Sequence, residues 1–136
     1  MALHDTLRES ISRNRKPGRV LVTEEEKRHS VRVAARLEIQ YRADDVETEG
    51  FIDDLSETGA WIDTPQPLPT GTRVDFTFEL HDDQADVPIT GSATVVRVQE
   101  MVGMALEFNE VEPEAAARIR FWVGALYFGQ DPAELF

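Results

Sequence analysis

Two short stretches of this 136-residue chain hold side chains whose types and spacing suit chemistry. In KRHSVRV, residues 27–33, Arg28 and Arg32 stand four positions apart behind the acidic run Glu24 to Glu26. In DDLSETGAW, residues 53–61, Asp54, Ser56 and Gly59 follow the spacing D-x-S-x-x-G. A pair of guanidinium groups is a receptor for a compact anion, because each planar fork offers parallel N–H donors to a phosphate or carboxylate. The second stretch supplies an acceptor, a hydroxyl and a backbone position without a side chain. Each stretch taken alone also has a plain structural reading. The arginines can pair with Glu24, Glu25 or Glu26 on the surface, and Asp54 can bond its own turn.

Other chemistries find no support. His4, His29 and His81 are scattered over separate segments with no second ligand at metal spacing, so no metal site is expected. There is no cysteine, hence no disulfide framework and no thiolate ligand. No serine occupies a G-x-S-x-G elbow and no glycine-rich phosphate loop occurs, so nothing argues for an enzyme. The net charge of −12 disfavours general nucleic-acid binding, which neutralises many phosphates with Lys and Arg. That average hides an asymmetry. Ten of the 14 basic residues fall in residues 1–42 beside six acids, giving +4 there and −16 in the remainder. A small anion is drawn to the N-terminal part, while a long polyanion is repelled by the body.

The elements that must position these residues read as strands. In RLEIQYR, Leu37, Ile39 and Tyr41 alternate with Arg36, Glu38, Gln40 and Arg42, the period of a half-buried strand. RVDFTFEL repeats the pattern, and VPITGSATVVRVQ and VGMALEF add two more, with Gly91 a natural bulge. TEGFIDDL and GAWIDT form a further pair around SETG, where Gly59 can take positive φ. Six short antiparallel strands at this spacing make a barrel or sandwich. Pro113 then opens a helix over 113–128, with Ile119, Trp122, Val123 and Leu126 on one stripe to lie on the barrel. Residues 1–26 read as an arm with a short helix over 3–13, where Leu3, Leu7 and Ile11 recur every four positions. The arm can dock on the body, on a partner or on a second copy, which leaves a homodimer open.

In their order and separation, Arg28-x-x-x-Arg32 and Asp54-x-Ser56-x-x-Gly59 resemble the two signatures of the PilZ domain family. Val33 after the second arginine, the LPTG turn at 68–71 and the GMALEF strand at 103–108 match as well. The resemblance runs from about Lys27 to Phe108, with a helix of the expected kind after it. It implies a mainly β, six-stranded antiparallel barrel over 27–136 that binds the bacterial second messenger cyclic di-GMP, a ligand and not a cofactor. It implies a receptor, not a catalyst. Arg28 and Arg32 would then contact guanine and phosphate, and Asp54, Ser56 and Gly59 would form the opposite wall, with Lys27, Arg36 and Trp61 as flanking candidates. The residue types suit that ligand. Arginine pairs bidentately with guanine O6 and N7 or stacks on a purine face, and a carboxylate accepts from guanine N1–H and N2–H, which adenine does not offer.

The expected mechanism is a switch in which ligand holds the arginine loop against the barrel, frees Glu24 to Glu26, and repositions residues 1–22 for a separate protein. The competing expectation is a PilZ-like adaptor in a motility or envelope assembly that binds no nucleotide. The N-terminal sequence has acids and hydroxyls where a secretory signal needs an apolar core, and no apolar run is long enough to cross a bilayer, so the cytoplasm is the expected compartment.

Overall fold

Alternation in the sequence becomes alternation of burial in the strands. The computed structural model describes residues 20–21, 31–81 and 86–129. Its elements are β1 (Val20–Leu21), β2 (Val33–Ala43), β3 (Val46–Leu55), β4 (Gly59–Asp63), β5 (Arg73–His81), β6 (Asp86–Gln99), β7 (Gly103–Val111) and the helix α1 (Pro113–Tyr127). Strand β2 pairs with β3 and β5, β3 with β4, β4 with β7, β7 with β6, and β6 with β5, all antiparallel. Six strands therefore close into a barrel, as the sequence implies. The hairpin β2–β3 turns through Asp44, whose φ of 56° is a left-handed conformation that Asp tolerates. One element was not legible: β1 pairs with β7 through Val20↔Val111 and Leu21↔Glu110, beyond the point where β4 stops at Gly59↔Glu107.

The inward residues form one core. Leu37, Ile39 and Tyr41 from β2 meet Phe76 and Phe78 from β5 and Phe108 from β7, with Phe76 stacked on Phe108 at 5.0 Å between centroids. Each such side chain, fully buried, contributes roughly 1.5–3 kcal/mol. Tyr41 carries a cost inside this core. Its hydroxyl is a buried polar atom without a hydrogen bond. Burial raises its pKa above the usual value, and Thr64, nearby but outside bonding geometry, offsets part of that rise.

Helix α1 begins where Pro113 needs no N–H partner, and it ends at Phe128 with Gly129 at φ 77°. Ala115, Ile119 and Val123 enter the barrel core, while Trp122 and Leu126 are partly buried against it. Trp122 Nε1 donates to the His81 carbonyl at 3.2 Å, and Arg120 Nε lies 3.3 Å from Glu57 Oε1. The second contact ties the helix to the turn between β3 and β4. Gly91 is not itself the bulge: the β6 register shifts at Ser92/Ala93 and again at Val95/Arg97. A Cβ at Gly91 would lie 2.3 Å from the Glu110 carbonyl oxygen, so close strand approach is what excludes a side chain there.

Candidate functional site

Arg32 is the last residue before β2, and Asp54 is next to last in β3. The register Val33↔Leu55 and Ala34↔Asp54 brings these two chain positions side by side. Arg32 Nη1 donates to Asp54 Oδ1 at 2.6 Å, with the side chains 49% and 37% exposed. Two residues from separate stretches thus meet within reach of solvent, on the outer face of the barrel. Arg28 and Lys27, along with Glu24 to Glu26, lie outside the described residues. Among the described residues, the partner of Arg32 is Asp54.

The turn that carries Asp54 is built by its neighbours. Ser56 N–H donates to the Gly59 carbonyl at 2.9 Å. The Ser56 hydroxyl accepts from Thr58 N–H at 3.2 Å and Gly59 N–H at 3.1 Å, and Ser56 is fully buried. Phe108 N–H donates to the Thr58 carbonyl at 2.8 Å, which pins the turn to β7. Ser56 therefore holds the backbone in this structure, with its oxygen occupied. Gly59 serves the same end, though not through φ: its φ lies outside the left-handed region, and a Cβ there would stand 2.2 Å from the Leu106 carbonyl oxygen. The expectation of a positive φ is corrected to one of close approach between β4 and β7.

The flanking candidates separate into two places. Arg36 has its own acids, with Asp63 Oδ2 at 3.1 Å and Asp53 Oδ1 at 3.5 Å, and its guanidinium carbon lies 4.3 Å from the Phe51 ring centroid. It lines a groove of about 770 Å³ that crosses β3, β2 and β5 and is also lined by Glu38, Glu49, Asp63 and Glu79. That groove is acidic and includes neither Arg32 nor Asp54, so it does not suit an anion. Trp61 is half-buried on the outer face, directly opposite Asp54 in the β3–β4 register. It is not part of the core cluster. Its ring lies under Arg97, whose guanidinium carbon is 5.5 Å from the ring centroid. Arg97 was not singled out in the sequence, because it reaches Trp61 only through the β4–β7 and β7–β6 registers.

Strand pairing also gathers Glu79, His81 and Asp86, whose ligand atoms lie within 4.8 Å of one another, although the sequence shows no metal spacing. All three are exposed, and His81 Nδ1 meets Asp86 Oδ1 at 2.6 Å as a polar pair at the joined end of the β5–β6 hairpin.

The sequence profile of the PilZ domain matches residues 26–125, and the chain belongs to the PilZ domain family. Domains of this family are typically non-catalytic receptors for cyclic di-GMP. Among solved structures, the chain is similar to the inhibitor of motility MotI/DgrA of Bacillus subtilis, at 18% identity and a TM-score of 0.68 over 74% of this chain and 51% of that one. It is also similar to the PilZ domain of CeSA from a cellulose-synthesizing bacterium, at 17% identity and a TM-score of 0.50 over 71% of this chain and 98% of that one. At these identities the likeness is one of fold, and the chain spans about half the length of MotI/DgrA. No curated protein sequence matches it significantly. No described helix is long and apolar enough to cross a membrane.

Proposed function

We propose that this PilZ domain binds cyclic di-GMP on the outer barrel face around Arg32 and Asp54, and relays the signal to a separate protein by fastening the loop that bears Arg28 and Arg32. The observation that carries this reading is the Arg32–Asp54 pair, 22 positions apart in sequence yet 2.6 Å apart in space and open to water. An exposed pair of this kind is worth only about 0–1 kcal/mol, so a ligand opens it at small cost. Arg32 then turns to phosphate or the guanine Hoogsteen edge, and Asp54 to guanine N1–H and N2–H. Arg28 joins from the loop, with Lys27 flanking it. Ser56 and Gly59 keep the wall that presents Asp54 in place. Because the charge beyond residue 42 sums to −16, only a compact anion can approach such a local cationic point.

Calorimetry with cyclic di-GMP, GTP and cyclic GMP tests the binding. Heat is expected from cyclic di-GMP alone, and none at micromolar protein would favour an adaptor that binds no nucleotide. Hydrogen exchange tests the relay: residues 20–35 are expected to gain protection with ligand, and equal protection in both states would sink that part of the proposal.

A further inference from the structure

The outer face continues past Asp54 in a row set by strand register. Asp54 on β3 stands opposite Trp61 on β4, Trp61 opposite Ala105 on β7, and Ala105 opposite Arg97 on β6. Three strand spacings carry this row about 14 Å across the sheet. Its floor is cut low for an aromatic ring. Ala105 has the smallest side chain that can stand there, and a Cβ at Gly103 would lie 2.8 Å from Trp61 Cε2. Arg97 lies over the indole with its guanidinium carbon 5.5 Å from the ring centroid.

The charge environment of Arg97 differs from that of Arg32, Arg36 and Arg120. Arg32, Arg36 and Arg120 each have a carboxylate partner. Arg97 is exposed, and among the described residues its guanidinium has an aromatic ring as its recorded partner and no carboxylate. A planar cation resting on an indole, with no carboxylate partner among the described residues, and two strands beyond the residue facing a guanine-competent carboxylate offers its free face to another flat, electron-rich ring.

We infer that Trp61 and Arg97 form a second base platform, continuous with the Arg32–Asp54 pair, that stacks a guanine of the bound nucleotide. The inference rests on the reading of cyclic di-GMP as ligand and extends it across β4 to β6. The guanine comes either from the second base of the same molecule or from a second molecule stacked on the first. Guanidinium and indole together provide the stack, with the base lying on the face of Arg97 that is turned away from Trp61.

The test is calorimetry of the full chain with cyclic di-GMP, comparing the wild type with Arg97→Ala, Arg97→Lys and Arg32→Ala, beside melting curves of each. Arg97→Ala is expected to lose about tenfold in affinity or to halve the stoichiometry, with an unchanged melting temperature. Loss of affinity at one ligand per chain assigns the platform to the second base, and a fall from two ligands to one assigns it to a second molecule. Arg97→Lys keeps the charge and loses the plane, so it is expected to behave like Arg97→Ala; wild-type binding by the lysine variant overturns the stack. Trp61 emission is expected to quench on titration and the quench to vanish in Trp61→Phe, leaving Trp122 as the unaffected fluorophore. If Arg32→Ala abolishes binding while Arg97→Ala binds as wild type, the platform is wrong and the primary site stands. If the wild type itself does not bind, both fall.

Discussion

Replacing Arg32 by alanine separates a binding arginine from a structural one, because the two roles differ in magnitude. The contact with Asp54 is short at 2.6 Å, but both side chains are more than a third exposed, so solvent screens the pair. Its contribution to folding is on the order of 0.2–1 kcal/mol. For a domain of this size that corresponds to a fall of about 2–5 °C in melting temperature at most. In the proposed complex the same guanidinium would make charge-assisted bonds of about 1.5–3 kcal/mol each, so losing two of them would weaken binding by roughly a hundredfold or more. Arg32→Ala is therefore expected to melt within a few degrees of the wild type and to give no measurable heat with micromolar cyclic di-GMP. Melting curves and calorimetry on one preparation read both. Binding at wild-type affinity refutes the site, and a melting temperature lowered by tens of degrees refutes the claim that the pair is cheap to open.

Other expectations concern the frame around that pair. Gly59→Ala places a methyl group against the Leu106 carbonyl, 2.2 Å from it, and is expected to cost about 1–3 kcal/mol or more as β4 is pushed off β7; an unchanged urea midpoint would contradict the close approach. Ser56→Ala leaves the buried Thr58 and Gly59 amides without their acceptor, an expected loss of about 2 kcal/mol by denaturant titration, and wild-type stability would show that the hydroxyl does not hold the turn. Tyr41 has a folded pKa raised by burial, so the unfolded chain releases the phenol proton first as pH passes about 10. Stability from this group is full below that pH and falls as pH rises toward the folded value; Tyr41→Phe is expected to flatten the alkaline decline, and an identical decline in both proteins would exclude Tyr41 as its source.

The strands were legible because period-two alternation is long in each of them, and burial follows it residue by residue, as in Val74, Phe76, Phe78 and Leu80 of β5. The two-residue β1 has no period to read, and only its pairing with β7 reveals it. Arg32 and Asp54 were readable as residue types in a family spacing, but their contact depends on a register that no local pattern encodes. Gly59 was marked as special for the wrong physical reason, since a sequence shows that a side chain is missing without showing which atom would collide with it. Trp61 was legible as a flanking candidate but not as to its side of the sheet; an indole usually packs inward, and this one stands on the outer face because Ala60 and Ile62 take the inward positions on either side of it. Its relation to Arg97 is assembled across three strands, as is the grouping of Glu79, His81 and Asp86 across a hairpin.

The short strand β1 has a mechanical meaning for the arginine loop. Residues 22–32 run between an anchor on β7, where Leu21 pairs with Glu110, and an anchor at the start of β2, where Val33 pairs with Leu55. With both anchors fixed on a closed barrel, the twelve steps from Leu21 to Val33 allow a reach of about 40 Å at most. Two fixed ends lower the closure entropy of any contact between that length of chain and the sheet. The anchor on β7 sits at Val111, two residues before Pro113 opens the helix, so one end of the arginine-bearing sequence is tied to the corner of the barrel from which α1 departs.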